Sequence, residues 1–192
     1  REAFRPRDRT AARATLASRG VPVSDEARVL LAVGRLEPLK GFDILVRALA
    51  QLTVDAEVVL WIAGGDERSA PERARLEAVA HEVGVGDRVR FLGAVPHEEL
   101  PTYYNAADVV VVPSFYESFG LVAVEAMASG VPVVASRVGG LASTVADGRT
   151  GYLIPWRCPE PFAEKIELLL RNEELRRALG RAAAERMGAY SW

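Results

Sequence analysis

The chain has 192 residues, of which 49% are hydrophobic and 26% are charged, a balance typical of a globular domain that buries a sizeable core. Its net charge of −2 gives no electrostatic reason to expect nucleic acid as a partner. The single cysteine excludes an intrachain disulfide framework and a multi-cysteine zinc site. Two histidines are too few for a histidine-based metal site, so we expect no metal ligands.

Short apolar runs alternate with amphipathic segments along the chain. The runs that predict strands are residues 29–33, 58–63, 89–92, 109–112, 131–135 and 151–154. The segments that predict helices are residues 42–52, 71–83, 98–106, 119–129, 141–146, 161–170 and 173–186. No apolar run reaches the roughly 18 residues of a transmembrane helix.

The apolar runs are rich in valine and show little polar alternation, which indicates strands buried on both faces of a parallel sheet. The predicted fold is therefore α/β, a three-layer, Rossmann-like, doubly wound parallel sheet of about six strands. A ligand site in such a sheet lies beyond the carboxyl ends of the strands, where the strand order reverses. Six arginines among residues 1–20 are interpreted as a solvated linker and first helix rather than a binding patch.

The loop after the first predicted strand, residues 34–41, carries two cations. It lacks the glycine spacing and the final Lys-Ser/Thr of a P-loop, and no GxGxxG dinucleotide fingerprint follows any strand. Arg35 and Lys40 are both long enough to reach a diphosphate. From this loop alone, ordinary surface charges beside a turn are an equal alternative.

The stretch after the fourth predicted strand, residues 114–130, reads SFYESFGLVAVEAMASG and carries two carboxylates. Ser118 is the predicted helix N-cap, which leaves free backbone amides at the helix start as an anion site. Glu125 lies inside an apolar run, and a buried charge is costly unless it is paired. Glu125 therefore has either a partner within the protein or a ligand. Glu117 lies about 12 Å from Glu125 if helical rise applies between them, roughly the span of a sugar, a phosphate and a ribose.

Glycine pairs follow two further strands, Gly64-Gly65 after the second and Gly139-Gly140 after the fifth. Such pairs either let the backbone approach a ligand closely or make a tight turn. Each of the four loops is ambiguous alone. Because they converge on one edge of the sheet, together they favour a diphosphate-containing ligand.

Six segments, in this order and spacing, resemble one known family. They are GRLEPLKG, AGGDE, RVRFLG, AADVVVVPSFYESFGLVAVEAMASGVPVVAS, VGG and DGRTGYLIP. The chain looks like the C-terminal, donor-binding half of family 4 (group 1) retaining glycosyltransferases, which have the GT-B fold of two Rossmann-like domains facing across a cleft. Within the family it looks closest to the branch that contains mycothiol-pathway and sucrose-phosphate-type enzymes.

The resemblance implies a domain organisation. Residues 1–20 would be the interdomain linker and first helix, residues 21–186 the nucleotide-sugar donor-binding domain, and residues 187–192 the start of a C-terminal crossover helix. The N-terminal, acceptor-binding domain of the family is absent from the sequence, so we expect the chain to be a piece of a larger protein.

The resemblance also implies roles for individual residues. Arg35 and Lys40 would hold the diphosphate, Glu125 would accept the ribose hydroxyls, and Glu117 would face the donor sugar. Arg35, Lys40 and Glu117 would be the catalytic residues. The further donor-binding residues would be Gly34, Leu92, Phe119, Gly120, Leu121 and Val122, with the base near residues 91–95.

The implied activity is the metal-independent transfer of a hexose-type sugar from a UDP- or GDP-sugar, with retention of configuration and no cofactor. The acceptor, and any membrane, would bind through the missing domain, so the isolated domain is expected to be inactive and cytoplasmic. Three alternatives stay open: a GT-B sugar-nucleotide 2-epimerase, a non-catalytic nucleotide-sugar-binding module and an NAD-binding domain.

Overall fold

A computed structural model describes residues 3–155 and 157–190. The strands are β1 (Arg28–Val33), β2 (Val58–Ala63), β3 (Val89–Gly93), β4 (Val109–Val112), β5 (Val133–Ser136) and β6 (Gly151–Ile154). The helices are α1 (Arg9–Ser18), α2 (Phe42–Leu49), α3 (Ala70–Glu82), α4 (Leu100–Ala106), α5 (Leu121–Ala128), α6 (Leu141–Thr144), α7 (Pro159–Arg171) and α8 (Glu173–Ala189). All six predicted strands are present, and each predicted helix overlaps an observed one.

The six strands form one parallel sheet in the order β3-β2-β1-β4-β5-β6. The chain proceeds from β1 outward to β3, then crosses back to β4 beside β1 and continues outward in the other direction. The predicted doubly wound, Rossmann-like sheet is therefore confirmed. Its strand order reverses between β1 and β4, which makes the loops after those two strands the expected walls of a ligand crevice.

Helices pack on both faces of the sheet, and the strands are therefore buried on both sides. On one face, α2, α3 and α7 pack against a cluster that includes Leu30, Leu60 and Val111. On the other face, α1, α4, α5 and α8 pack against a cluster that includes Leu31 and Val110. The alternation of side chains along β1 and β4 supplies both cores, as expected for a central parallel strand.

The N-terminal arginines are not all solvated, contrary to the sequence interpretation. Arg13 is 2% exposed, and its Nη2 lies 3.1 Å from Oδ2 of Asp108, at the start of β4. The same guanidinium donates to the carbonyls of Ala106 and Ala27 at 3.1 and 2.9 Å. Its burial lowers its pKa, and the charge of Asp108 partly offsets that effect. Arg13 thus joins α1 to the sheet.

The same aspartate also holds the last helix. Arg176 of α8 lies 3.7 Å from Asp108 Oδ1, and Arg9 of α1 lies 3.2 Å from the same oxygen. Met187 is a buried residue of α8, so residues 187–189 continue this helix and do not start a separate one. Residues 191 and 192 lie outside the described residues, and the predicted domain boundaries stay a prediction.

The predicted strand at residues 131–135 starts two residues late. Gly130, at φ +78°, closes the turn after α5, and the Val131 amide donates to Ala126 O at 3.0 Å. Val131 therefore belongs to the helix-ending turn, and the ladder with β4 begins beyond it.

No helix in the described part of the chain is long and apolar enough to cross a membrane. Among residues 3–155 and 157–190, no group of three or more His, Cys, Asp or Glu side chains is placed to hold a metal ion.

Candidate functional site

The loops after β1 and β4 lie side by side at the point where the strand order reverses. The Phe115 amide donates to the carbonyl of Leu39 at 2.8 Å. Gly41 has φ +68°, and a Cβ there would overlap the carbonyl oxygen of Pro113. Gly41 is therefore required for this close approach, which brings residues 34–41 and 113–120 into one wall.

An ion pair connects the two loops. Lys40 Nζ lies 3.2 Å from Glu117 Oε2, and the two side chains are 22% and 20% exposed. Arg35 differs, because its side chain is 80% exposed and its Nε lies 3.4 Å from Glu37. The structure thus brings together Lys40 and Glu117, while it places Arg35 at the rim of the same loop.

Helix α5 begins two residues later than the sequence predicts. Its N-cap is Gly120, at φ +69°, and no side chain caps the helix. Ser118, the predicted N-cap, instead donates its hydroxyl to Tyr116 at 3.2 Å. The first intrahelical bond runs from the Val124 amide to Gly120 O. The amides of residues 121–123 consequently face outward at the start of an uncapped helix, as an anion site requires.

The late start of α5 also removes the basis of the predicted spacing between the two glutamates. That spacing assumed helical rise from Glu117 to Glu125, but the helix extends only from Leu121 to Ala128. Glu117 lies in the loop that contacts the loop after β1, whereas Glu125 lies on the second turn of α5.

Large apolar side chains close to Lys40 and Glu117 along the chain are exposed. They are Leu39, Tyr116, Phe119 and Leu121. These four residues all belong to the two adjoining loops or to the first turn of α5. A cluster of exposed apolar side chains at a crevice is typical of a surface that a ligand or another domain covers.

Glu125 has partners within the protein. Its Oε2 accepts a hydrogen bond from the Tyr104 hydroxyl at 2.8 Å, and its Oε1 lies 2.7 Å from Nε2 of His97. Burial, and then the charge of Glu125, raise the pKa of Tyr104 well above its ordinary value, so this hydroxyl stays protonated as a donor. One of the two alternatives from the sequence, an internal partner, is therefore present.

Although Glu125 is paired within the protein, its carboxylate is still accessible to a ligand. Its side chain is 17% exposed. It lines an apolar groove of 570 Å³ between the N-terminal segment, α5 and the end of α8. An ionised carboxylate has about four acceptor positions, and two are used by His97 and Tyr104. Two positions remain for hydroxyl groups of a ligand.

The predicted glycine pairs allow neighbouring loops to pack closely against each other. A Cβ at Gly139 would overlap the carbonyl of Glu117, and the Gly140 amide donates to that carbonyl at 3.0 Å. A Cβ at Gly64 would overlap the carbonyl of Gly34 in the same way. The glycines therefore let neighbouring loops touch through their backbones, a use that the sequence reasoning did not distinguish from ligand approach.

Leu92 lies on β3, two strands away from the ion pair. It is partly buried against the core that includes α4 and α5. The chain that continues from β3 reaches the site through the 3₁₀ turn His97–Glu99, which brings His97 to Glu125. Leu92 itself is not joined to Glu117 or Glu125 by any hydrogen bond.

Sequence reasoning missed three residues around Glu125, namely Phe4, His97 and Tyr104. Tyr104 falls in the predicted helix at residues 98–106, but nothing in the sequence distinguishes its hydroxyl from that of Tyr103. His97 and Phe4 carry no signal either, because His97 meets Glu125, and Phe4 meets His97 and Tyr104, only when distant segments come together.

Comparison with known proteins identifies the family. The family description "Glycosyl transferases group 1" matches residues 16–186. The chain belongs to the group 1 glycosyltransferase family. A D-inositol 3-phosphate glycosyltransferase of Catenulispora acidiphila is 43% identical over 195 residues, covering 98% of this chain and 44% of the relative.

Solved structures agree with this membership. The sucrose-phosphate synthase of Thermosynechococcus elongatus is 41% identical, with a TM-score of 0.88 over 98% of this chain and 45% of that one. The Anabaena HepE structure in complex with UDP-glucose is 26% identical, with a TM-score of 0.87 over 97% of this chain and 50% of that one. The chain spans about half the length of the relatives it matches and corresponds to their C-terminal half, so the predicted half of a GT-B glycosyltransferase is confirmed.

Proposed function

We propose that the chain is the donor-binding half of a glycosyltransferase and binds a nucleoside-diphosphate sugar. The observation that carries this proposal is the Lys40–Glu117 ion pair beside the uncapped start of α5, at the point of the sheet where ligands bind. A cation, a carboxylate and free amides in one crevice fit a diphosphate that carries a hydroxyl-rich sugar.

In the proposed complex, Lys40 and Arg35 bind the diphosphate, and the amides of Leu121 and Val122 contact the same phosphates. Glu117 accepts hydrogen bonds from the sugar hydroxyls, next to the backbone of Phe119 and Gly120. These assignments follow the family resemblance, and the contact between the two loops supports them. Arg35 has to turn inward from the rim, which its 80% exposed side chain permits.

The nucleoside part is proposed to lie towards Glu125. The two acceptor positions that His97 and Tyr104 leave open suit the two hydroxyls of a ribose. The base would lie near the end of β3, where Leu92 and Gly93 precede the turn at His97. Gly34, at the end of β1, completes the proposed set of donor-binding residues.

The chemistry requires positive potential at the leaving group. As the bond between the sugar and the diphosphate breaks, the sugar becomes oxocarbenium-like and negative charge grows on the diphosphate. Lys40, Arg35 and the start of α5 supply fixed positive potential at that position. We propose that this arrangement makes transfer of a hexose-type sugar independent of metal. Retention of configuration is proposed from family resemblance, with the leaving phosphate accepting the acceptor proton.

Two relatives support a nucleotide-sugar donor. The HepE structure contains UDP-glucose, and the inositol phosphate relatives are named as glycosyltransferases. Their chains are about twice as long as this one, which supports an acceptor-binding half outside residues 1–192. Cytoplasmic location and membrane attachment through that half stay predictions.

The test is calorimetric titration of the chain with UDP, GDP and ADP, and then with their glucose, N-acetylglucosamine and mannose conjugates. We expect saturable binding of one nucleotide series, unchanged by a chelator, and weaker binding in Lys40→Ala. If no member of the panel binds, or if Lys40→Ala binds as wild type does, the proposed function is wrong.

A further inference from the structure

Two side chains contact the Glu125 carboxylate, and a third packs on both of them. Tyr104 donates to Oε2 at 2.8 Å, and His97 contacts Oε1 at 2.7 Å. Because an ionised carboxylate only accepts hydrogen bonds, His97 is the donor, through a protonated Nε2. Each carboxylate oxygen is therefore fixed by a separate donor from a separate element, one from α4 and one from the turn that precedes it.

The third side chain comes from the N-terminal segment. The ring of Phe4 lies 5.1 Å from the ring of His97 and 5.9 Å from that of Tyr104, in tilted and edge-to-face arrangements. Phe4 thus packs on both donors at once. The segment that carries Phe4 is further held by the Arg7 amide, which donates to Asn105 Oδ1 at 2.6 Å.

The two donors differ in burial. Tyr104 is fully buried, so packing restrains the ring that carries the hydroxyl donor to Glu125. The His97 side chain is exposed, and its ring contacts Glu125 and packs against Phe4. A carboxylate that depended on His97 alone would be free to rotate away from a ligand.

We propose that Tyr104 and His97 are positioning residues that orient Glu125 towards the ribose hydroxyls, with Phe4 holding both rings in place. This inference depends on the proposed function, in which Glu125 binds the ribose. A pre-oriented acceptor pays less conformational entropy when the ligand binds. Loss of either donor should therefore weaken binding of a nucleotide that has a 2′-hydroxyl more than binding of one that lacks it.

The experiment measures how well the chain distinguishes ribose from deoxyribose. Dissociation constants of UDP, GDP and ADP, and of their 2′-deoxy counterparts, are measured by calorimetry for the wild type and for variants. The quantity compared is the ratio of the deoxyribose to the ribose dissociation constant, for the nucleotide that the wild type binds. Overall destabilisation of the site would move both constants together and leave this ratio unchanged.

Tyr104→Phe removes one hydroxyl and keeps the ring against Phe4. We expect it to lower the ratio by about fivefold, with the deoxynucleotide bound within twofold of wild type. Tyr103→Phe is the matched control, because it makes the same change at the neighbouring position, where the ring packs on Trp61. This control should keep the wild-type ratio.

His97→Leu removes the second donor, and we expect a similar fall in the ratio. His97→Gln keeps an N–H donor and should restore at least half of the wild-type ratio. His81→Leu, a change at an exposed residue of α3, is the control for loss of a histidine.

The outcomes separate this inference from the proposed function. If the wild type binds no nucleoside diphosphate, the proposed function fails and the inference fails with it. If the wild type binds but does not prefer ribose, Glu125 is not the ribose acceptor, so that assignment and this inference are both overturned while donor binding stands. If the wild type prefers ribose while Tyr104→Phe and His97→Leu keep that preference, donor binding stands and the positioning role is wrong.

Discussion

At the scale of single residues, the charged side chains of the candidate site are paired with other side chains of the protein. Lys40 is paired with Glu117, and Glu125 is bonded to Tyr104 and His97. A diphosphate that binds Lys40 competes with Glu117 for the same ammonium. The sequence indicated Lys40, Glu117 and Glu125 as functional residues, but not their partners, because these pairs join segments far apart along the chain.

Lys40→Ala should weaken binding of the nucleoside diphosphate by about tenfold or more, since a hydrogen bond to a charged group contributes about 1.5–3 kcal/mol. The loss should shrink as salt is added, because the interaction is electrostatic. Calorimetry at two salt concentrations measures both effects. Lys165→Ala is the control, because Lys165 on α7 packs over the ring of Tyr152. An equal loss of affinity in the control would contradict the assignment of Lys40.

Glu117→Gln should change two affinities in opposite directions. It removes a negative charge beside the diphosphate and frees Lys40, so we expect the nucleoside diphosphate without sugar to bind about threefold more tightly. The sugar conjugate should gain nothing or bind more weakly, because its hydroxyls lose a charged acceptor. Parallel titrations with the nucleotide and its conjugate measure the difference. A uniform change in both would show that Glu117 does not face the sugar.

Tyr104 gives a prediction about alkaline stability. Burial raises its pKa in the folded protein above the ordinary value of 10.0. A raised pKa contributes stability that is complete below pH 10 and is lost as the pH rises above it towards the folded-state pKa. Urea unfolding at pH 8 and pH 10.5 should therefore show a steeper loss for wild type than for Tyr104→Phe, which has no phenolic proton. Tyr116→Phe, at an exposed site, is the control and should keep the wild-type slope. Equal slopes for wild type and Tyr104→Phe would be the contrary result.

At the scale of elements, the terminal helices are held on the sheet by Asp108. Arg9 and Arg13 reach it from α1, and Arg176 reaches it from α8. The sequence predicted α8 from its apolar spacing and placed a first helix among residues 1–20. It did not predict that an arginine of α1 is buried, because nothing in an arginine-rich segment marks which member meets an aspartate 95 residues later.

Arg13→Met should destabilise the fold by about 3 kcal/mol, because it leaves the Ala106 carbonyl without its donor and removes the most buried of the three arginines that contact Asp108. Arg177→Met is the control on α8, where the side chain is 70% exposed and pairs with Glu173. That change should stay within about 0.5 kcal/mol. Urea unfolding of both variants makes the comparison, and a loss below about 1 kcal/mol for Arg13→Met would mean that the buried cluster contributes little.

The first residue of α5 could not be predicted from the sequence. Ser118 is a good N-cap by residue type, but the chain takes a left-handed conformation at Gly120 and begins the helix there. A tertiary contact lies at this boundary, because the Gly139–Gly140 loop packs on the backbone of residues 117–119. Local preference predicted the helix, and a contact with a distant loop at its start is invisible to such reasoning.

At the scale of the whole molecule, the fold was predictable because each strand and helix carries its own periodic signal. Valine-rich runs such as Val109–Val112 indicated buried parallel strands, and the alternation with helices predicted the doubly wound sheet. The position of the site followed from the same topology. The contacts that shape it, from Phe4 to Tyr104 and from Gly41 to Pro113, arise only when the sheet is assembled.

The central claim is that a nucleoside-diphosphate sugar binds at the crevice between the loops after β1 and β4. Backbone amide NMR of the ¹⁵N-labelled chain during titration with the nucleotide sugars tests it most directly. The account predicts saturable shifts concentrated at residues 34–41, residues 117–125 and the turn at His97, with a titration midpoint at an about tenfold higher ligand concentration in Lys40→Ala. Saturable shifts confined to another part of the sheet, or no shifts with any nucleotide sugar, would contradict it.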